Sequence, residues 1–286
     1  MSCESGDLSS TRSRDRSIAP SDAAPVAVDR RDGRRRDGGR AERRPRLVAS
    51  AATFDEAAAA IAGGARIVDI KDPAAGTLGS PEFATLSAVA ALRDRIDPSR
   101  PLSAAIGPAR DPAAIGRAAA AARLGFEFVK AGLDGVTGPD EAATLLAAIA
   151  TALHADGGRA RLIAATFADP CDPVPLDMVA LPEVARRSGC AGILLDTALK
   201  DGRTLFDHRN DADLAHFVAA ARDCGLLVAL AGSLGPAEVA RAMSLAPDII
   251  GLRGALCEGG RAGRLDPARV RRFVVLLESG GPAIAR

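Results

Sequence analysis

Lysine is nearly absent from this chain, although basic side chains are common. Of the 37 lysine and arginine residues, only Lys71, Lys130 and Lys200 are lysines. The alanine- and arginine-rich composition suggests that arginine has replaced lysine wherever only a positive charge was needed. Lysine can lose its proton near neutral pH and form an imine with a carbonyl group, whereas arginine can do neither. Because each of the three follows a predicted strand, we interpret them as chemical groups; the alternative is that they are ordinary surface residues.

Other scarcities exclude several classes of protein. The five cysteines are scattered and form no CxxC pair, which favours reduced thiols in a cytoplasmic protein over a disulfide framework or a zinc site. The three histidines show no ligand spacing, so neither a metal nor another cofactor is expected. No apolar run is long enough to cross a membrane. Neither GxGxxG nor GxxxxGK[ST] follows a predicted strand, so the sequence carries no nucleotide-binding fingerprint.

Charge divides the chain into two unequal parts. The first 46 residues hold twelve arginines and eight acidic side chains, and the rest holds 25 basic and 28 acidic side chains. A mildly acidic remainder creates no strong field for nucleic acid. We therefore predict a disordered arm over residues 1–45 and one catalytic domain over residues 46–286. A non-enzymatic alternative, in which the arginine-rich arm binds RNA and the domain is a scaffold, stays open, as does a homo-oligomer.

From residue 46 onward, strand-like and helix-like patterns alternate. Eight such units in about 240 residues are typical of a (β/α)₈ TIM barrel, and the competing architecture is a doubly wound open sheet. The predicted strands cover residues 46–50, 66–70, 102–106, 126–131, 161–166, 192–195, 227–231 and 248–252. After the second strand, Ser80 and Pro81 predict a helix start, with Ser80 as the cap.

Carboxylates accompany the lysines at the predicted strand ends. Asp69 and Lys71 are two residues apart, so both side chains leave the same face of strand 2. Lys130 follows strand 4, and Asp196 and Lys200 follow strand 6. Even-numbered barrel strands direct side chains into shared layers, and catalytic groups of such barrels lie at the carboxyl ends of the strands.

This arrangement suits imine chemistry. Clustered ammonium groups lower one another's pKa, and a lysine with a lowered pKa is a competent nucleophile near neutral pH. Asp69 and Asp196 would then transfer protons to and from carbon and oxygen. The alternative interpretation is a set of structural ion pairs at the barrel rim.

Glycine-rich turns follow the last two strands. Gly232 and Ser233 come after strand 7, and Gly251, Arg253 and Gly254 come at the end of strand 8. Barrels often bind phosphate in these loops, through backbone N–H groups and a nearby helix N-terminus. Arg253 could add a bidentate contact. We predict a phosphorylated small molecule as the substrate.

Five segments, in this order, give the chain a family resemblance. The segments DIKDPAAGTLGSP, FVKAGL, LLDTALKDGRTLFD, LLVALAGSL and DIIGLRGALCEGG resemble the (5-formylfuran-3-yl)methyl phosphate synthases of methanofuran biosynthesis. The resemblance spans roughly residues 46–275. It departs from the family where Lys71 is followed by Asp72 instead of the usual asparagine, and in the stretch TFADPCDPVP after strand 5.

The resemblance implies a TIM-barrel lyase that acts without a cofactor. Such an enzyme joins two molecules of glyceraldehyde 3-phosphate into 4-(hydroxymethyl)-2-furancarboxaldehyde phosphate, with loss of phosphate and water. It implies Lys71 as the imine-forming residue, Asp69 as acid and base, and Lys130 and Lys200 as further active-site lysines. A class I aldolase acting on a triose or sugar phosphate, with Lys200 as the nucleophile, is the enzymatic alternative.

Overall fold

The structure is a computed structural model that describes residues 44–170 and 176–280. The predicted arm lies outside the described residues except for its last two positions, 44 and 45, and part of the poorly matching stretch after strand 5 lies outside them too. The division into an arm and a catalytic domain therefore stays a prediction.

Eight parallel strands close into a barrel in sequence order, and the last strand pairs with the first. This confirms the predicted (β/α)₈ barrel. The barrel strands are β1 Arg46–Ala51, β2 Ile67–Ile70, β3 Leu102–Pro108, β4 Phe128–Gly132, β5 Arg161–Phe167, β6 Gly192–Asp196, β7 Leu227–Leu230 and β8 Ile249–Leu252.

Helices follow the strands around the outside of the barrel. They are α1 Phe54–Ala62, α2 Phe83–Ile96, α3 Ala114–Arg123, α4 Pro139–His154, α5 Leu181–Arg187, α6 Leu205–His208, α7 Asp211–Asp223, α8 Pro236–Ser244 and α9 Pro267–Ser279. No helix within the described ranges is long and apolar enough to cross a membrane.

The strands are buried on both faces, which gives the protein two apolar layers. Side chains such as Val68 and Ile70 pack outward against the helices, while Ile67 packs with Phe128 in a smaller cluster inside the barrel. Alternation along β2 places Asp69 and then Lys71 on the same inner face as Ile67. Asp69 and Lys71 thus lie inside the barrel, closer to the carboxyl end of β2 than the apolar cluster that contains Ile67.

The predicted start of the helix after β2 is wrong. The α2 helix begins at Phe83, with Glu82 as its N-cap residue, and the Ser80 hydroxyl donates only to the neighbouring Pro81 carbonyl, at 3.4 Å. The preceding loop closes on itself, because the Asp72 N–H donates to the Gly79 carbonyl at 2.9 Å. The chain then leaves this closed loop in an extended conformation before the helix can form.

A short hairpin follows β8 and was not predicted. Its strands, β9 Cys257–Glu258 and β10 Arg264–Leu265, pair antiparallel immediately before α9. The hairpin lies on the carboxyl side of the barrel strands, where the predicted site residues also lie.

Candidate active site

A cavity of about 500 Å³ opens at the carboxyl ends of the strands. Nine of the ten side chains and backbone positions predicted for the site line it, and the tenth, Asp69, contacts one of them. The nine lining residues are Lys71, Lys130, Asp196, Lys200, Gly232, Ser233, Gly251, Arg253 and Gly254. The structure therefore brings the lysine cluster and the glycine-rich loops to one cavity.

Lys130 is held by a buried carboxylate. Its Nζ donates to Asp69 Oδ2 at 2.5 Å, and the Ser50 hydroxyl donates to the same oxygen at 3.0 Å. Asp69 is fully buried, and its other oxygen, Oδ1, has no hydrogen-bond partner among the described residues. Lys130 lines the cavity and Asp69 has no exposed surface. Asp69 is therefore linked to the cavity by its hydrogen bond with Lys130.

Lys200 is held by a second carboxylate at the end of β6. Its Nζ donates to Asp196 Oδ1 at 3.0 Å and to the Thr197 carbonyl at 2.6 Å. Burial favours a raised pKa for Asp196, but the positive charges of Lys200 and Lys71, with the Thr197 N–H, outweigh it and hold that pKa below its usual value. Asp196 is therefore a carboxylate, not a carboxylic acid, at neutral pH.

Lys71 differs from the other two lysines. It is buried, and within the described ranges its ammonium makes no hydrogen bond or ion pair. Burial lowers its pKa to about 8; Asp196 and Asp69 oppose that shift, and Lys130 and Lys200 reinforce it. A pKa near 8 leaves an appreciable fraction of free amine at neutral pH, which the unperturbed side chain would lack.

The loop after β7 has an unusual backbone. Gly232 has φ 117°, and a Cβ atom there would lie 2.9 Å from the Thr197 methyl group, so glycine is required for two reasons. Ser233 adopts a left-handed conformation with φ 52°, which is uncommon for a residue with a side chain. This backbone leads directly to the N-terminus of α8 and lines the cavity beside the lysines.

Arg253 lines the cavity, but its charge is already paired. Its two terminal nitrogens contact the Glu56 carboxylate at 2.7 and 3.2 Å, and one also donates to the Ser50 carbonyl at 3.2 Å. Glu56 in turn accepts from the Ala52 N–H at 2.7 Å. Of the three guanidinium nitrogens of Arg253, Nε is the one that is buried without a partner among the described residues. The pair joins the loop after β8 to the start of α1.

The structure adds polar residues that the sequence analysis missed. Ser50 is the register partner of Asp69 on the adjacent strand, and Glu56 holds Arg253. Arg261, at the tip of the β9–β10 hairpin, lines the cavity as well. A signal for Ser50 existed, since it ends the first predicted strand, but Glu56 and Arg261 become visible only when distant segments are brought together.

The chain matches one family of known proteins over most of its length. The family model for 4-HFC-P synthase matches residues 47–274. The (5-formylfuran-3-yl)methyl phosphate synthase of Methanothermobacter thermautotrophicus is 37% identical over 237 residues, covering 82% of this chain and 99% of the relative. The enzyme of the same name from Methanopyrus kandleri is 36% identical, covering 77% of this chain and 93% of the relative.

Solved structures share the fold at low sequence identity. A dihydrodipicolinate synthase from Agrobacterium tumefaciens superimposes with a TM-score of 0.58 at 18% identity, covering 83% of this chain and 77% of that one. A 3-hexulose-6-phosphate synthase does so with a TM-score of 0.55 at 17% identity, covering 81% and 99%. These likenesses concern the barrel alone, whereas the family match and the relatives at 36–37% identity extend over most of the sequence. The chain belongs to the 4-HFC-P synthase family.

Proposed function

We propose that this protein condenses two molecules of glyceraldehyde 3-phosphate into (5-formylfuran-3-yl)methyl phosphate, with loss of one phosphate and two water molecules, for methanofuran-type cofactor biosynthesis. Family membership supports the product, since relatives are named as synthases of this compound. Two C₃ aldehydes contain the six carbons of the furan product, and the loss of phosphate and water balances the remaining atoms. The activity is that of a lyase, because the condensation is completed by elimination.

The observation that carries the mechanism is the difference between Lys71 and the other two lysines. Lys130 and Lys200 are each fixed to a carboxylate, at 2.5 and 3.0 Å, while Lys71 faces the cavity with a pKa lowered to about 8. A nucleophilic amine must be able to lose its proton and must be free of a carboxylate partner. Lys71 has a fraction of free amine near neutral pH and no such partner among the described residues. We therefore assign imine formation with the aldehyde to Lys71.

An imine at Lys71 explains why the other charged groups surround it. The imine nitrogen withdraws electrons, which acidifies the neighbouring carbon for carbon–carbon bond formation and later for elimination of phosphate. Asp196 lines the cavity as a carboxylate and can take a proton from that carbon. Asp69 and Lys130 form a second proton-transferring pair, in which Lys130 contacts the substrate and Asp69 accepts the proton through it.

We assign the phosphate groups of the substrate to the glycine-rich loops that line the cavity. The loops after β7 and β8 bring Gly232, Ser233, Gly251 and Gly254 to the cavity wall, beside the N-terminus of α8. Backbone N–H groups in such a position bind phosphate oxygens. Arg253 supports the loop after β8 through its contacts with Glu56 and the Ser50 carbonyl.

Incubation with glyceraldehyde 3-phosphate alone tests the proposal. We expect a product with the mass of (5-formylfuran-3-yl)methyl phosphate and one inorganic phosphate released for each product molecule. Lys71→Arg, which keeps the charge but cannot form an imine at working pH, is the matched control and should give neither. Carbon–carbon bond formation without phosphate release would instead identify a simple aldolase.

A further inference from the structure

The β9–β10 hairpin holds one arginine over the cavity. Gly259 and Gly260 turn the chain with φ values of 77° and 78°. Gly263 lies so close to the Glu258 carbonyl that a Cβ atom would stand 1.6 Å from its oxygen, so no other residue fits there without rearrangement. This tight turn brings the backbone of Arg261 over Gly254, where a Cβ atom would be 3.7 Å from the Arg261 Cα.

Arg261 carries a positive charge that the cavity does not neutralise. Lys130 is paired with Asp69, Lys200 with Asp196, and Arg253 with Glu56. Two further arginines line the cavity, but both are exposed to solvent, and Arg269 also lies 3.9 Å from Asp266. Once Lys71 is a free amine, Arg261 is the buried or half-buried cation of the lining that has no anionic partner among the described residues. Within the described ranges the guanidinium of Arg261 makes no hydrogen bond or ion pair, although it is half-buried and lines the cavity.

A guanidinium withdrawn from water without an anion is costly, and a bound anion would remove that cost. The planar fork of arginine matches the oxygens of a phosphate monoester, with two parallel charge-assisted hydrogen bonds. Arg253 cannot offer the same fork, because Glu56 occupies its two terminal nitrogens. The loops after β7 and β8 also line this cavity.

We propose that Arg261 is the principal side chain that binds a phosphate monoester group of the substrate in this cavity, and that Arg253 supports the loop without supplying the charge. The proposal rests on the proposed function for the identity of the substrate. It makes Arg261 a determinant of substrate affinity, and therefore of KM more than of kcat.

Binding of sn-glycerol 3-phosphate tests the assignment without any turnover, because this compound carries the phosphate monoester but has no carbonyl group for an imine. We expect Arg261→Gln to weaken its binding in calorimetry by at least about tenfold, as for the loss of a charge-assisted hydrogen bond. Arg261→Lys should bind with intermediate affinity. The matched control is Arg264→Gln, an exposed arginine of the same hairpin, which should bind like the unaltered protein.

Steady-state kinetics with glyceraldehyde 3-phosphate give the second readout. Arg261→Gln should raise KM by at least about tenfold and change kcat much less. Equal binding of sn-glycerol 3-phosphate by Arg261→Gln and the unaltered protein would overturn the proposal, and so would the absence of saturable binding by the unaltered protein. Binding that depends on Arg261 in a protein that makes no furan would keep this site and refute the proposed function instead.

Discussion

At the scale of single residues, the three lysines differ in what surrounds them. Burial and two neighbouring ammonium groups disfavour the protonated form of Lys71, while Lys130 and Lys200 each contact a carboxylate. Burial is the largest cause of the lowered pKa of Lys71, and the neighbouring charges modify it in both directions. The reactivity of Lys71 therefore depends on its position in the barrel, and its neighbours adjust it.

The first prediction concerns the pH dependence of Lys71. Because its pKa is lowered to about 8, the free amine increases as pH rises through that value. Acetylation of Lys71 by acetic anhydride, followed by peptide mass spectrometry, should rise with pH and level off above about pH 8. An inflection near the unperturbed lysine value of about 10.4 would contradict the account.

Substitution of Lys200 tests the direction in which neighbouring charges shift the pKa of Lys71. Lys200→Gln removes a positive neighbour that lowers the pKa of Lys71 and releases Asp196, which raises it. Both effects should move the acetylation inflection of Lys71 to higher pH. Lys200→Arg keeps the charge and is the matched control, so its inflection should stay in place; a shift to lower pH in Lys200→Gln would show that the charges do not act as described.

The buried pair of Arg253 and Glu56 predicts a change in stability. Arg253→Ala would leave the Glu56 carboxylate buried without its main partner, which costs about 3 kcal/mol or more of unfolding free energy. Urea denaturation should show this loss. Arg186→Ala, which breaks an exposed pair with Glu183, is the control and should cost less than about 1 kcal/mol. Equal losses in the two variants would mean that the buried pair has no structural role.

At the scale of elements, the loop after β6 is fixed by a residue from the neighbouring strand end. Asp169 is buried and accepts from the N–H groups of Ala198 and Leu199 at 2.7 and 2.6 Å. Thr77, from the loop after β2, donates to the Ala198 carbonyl at 2.9 Å. These contacts place Lys200 so that its side chain returns to Asp196.

Asp169→Ala should therefore lower both stability and turnover. The loss of two backbone hydrogen bonds to a charged acceptor should cost about 2 kcal/mol or more, and the loosened loop should reduce kcat because Lys200 is misplaced. Denaturation and steady-state kinetics measure the two effects. Asp177→Ala removes one such bond on an exposed turn and is the control. A kcat unchanged in Asp169→Ala would mean that the loop does not position Lys200.

The elements were predictable to different degrees. Short apolar runs between helix-like segments located all eight barrel strands, because a strand that is buried on both faces consists almost entirely of apolar residues. The start of α2 was misplaced, since the loop contact between Asp72 and Gly79 involves no pattern of apolar residues. The β9–β10 hairpin was missed for a similar reason: its strands are two residues each, too short to show a period.

At the scale of the whole molecule, barrel closure explains how much of the site the sequence could predict. Parallel strands in sequence order bring all their carboxyl ends to one side, so residues after strands 2, 4, 6, 7 and 8 could be grouped in advance. The pairing of these groups could not be predicted. Which lysine meets which carboxylate, and the contact of Glu56 with Arg253 across 197 positions, depend on side-chain packing in three dimensions.

Residues 1–45 should be dispensable for catalysis. The first barrel strand begins at Arg46, and the family match begins at residue 47. A shortened chain that starts at Arg46 should keep its thermal midpoint and its turnover. A large loss of either would show that the arm packs on the barrel or completes the site.

The most direct test of the central claim, that Lys71 forms the covalent imine, is reductive trapping. Borohydride added together with glyceraldehyde 3-phosphate should leave a reduced adduct, and peptide mass mapping should place it on Lys71, with only Lys130 and Lys200 as other lysines in the chain. Lys71→Arg should give no adduct and no turnover while remaining folded. An adduct on Lys200, or an active Lys71→Arg variant, would contradict the account.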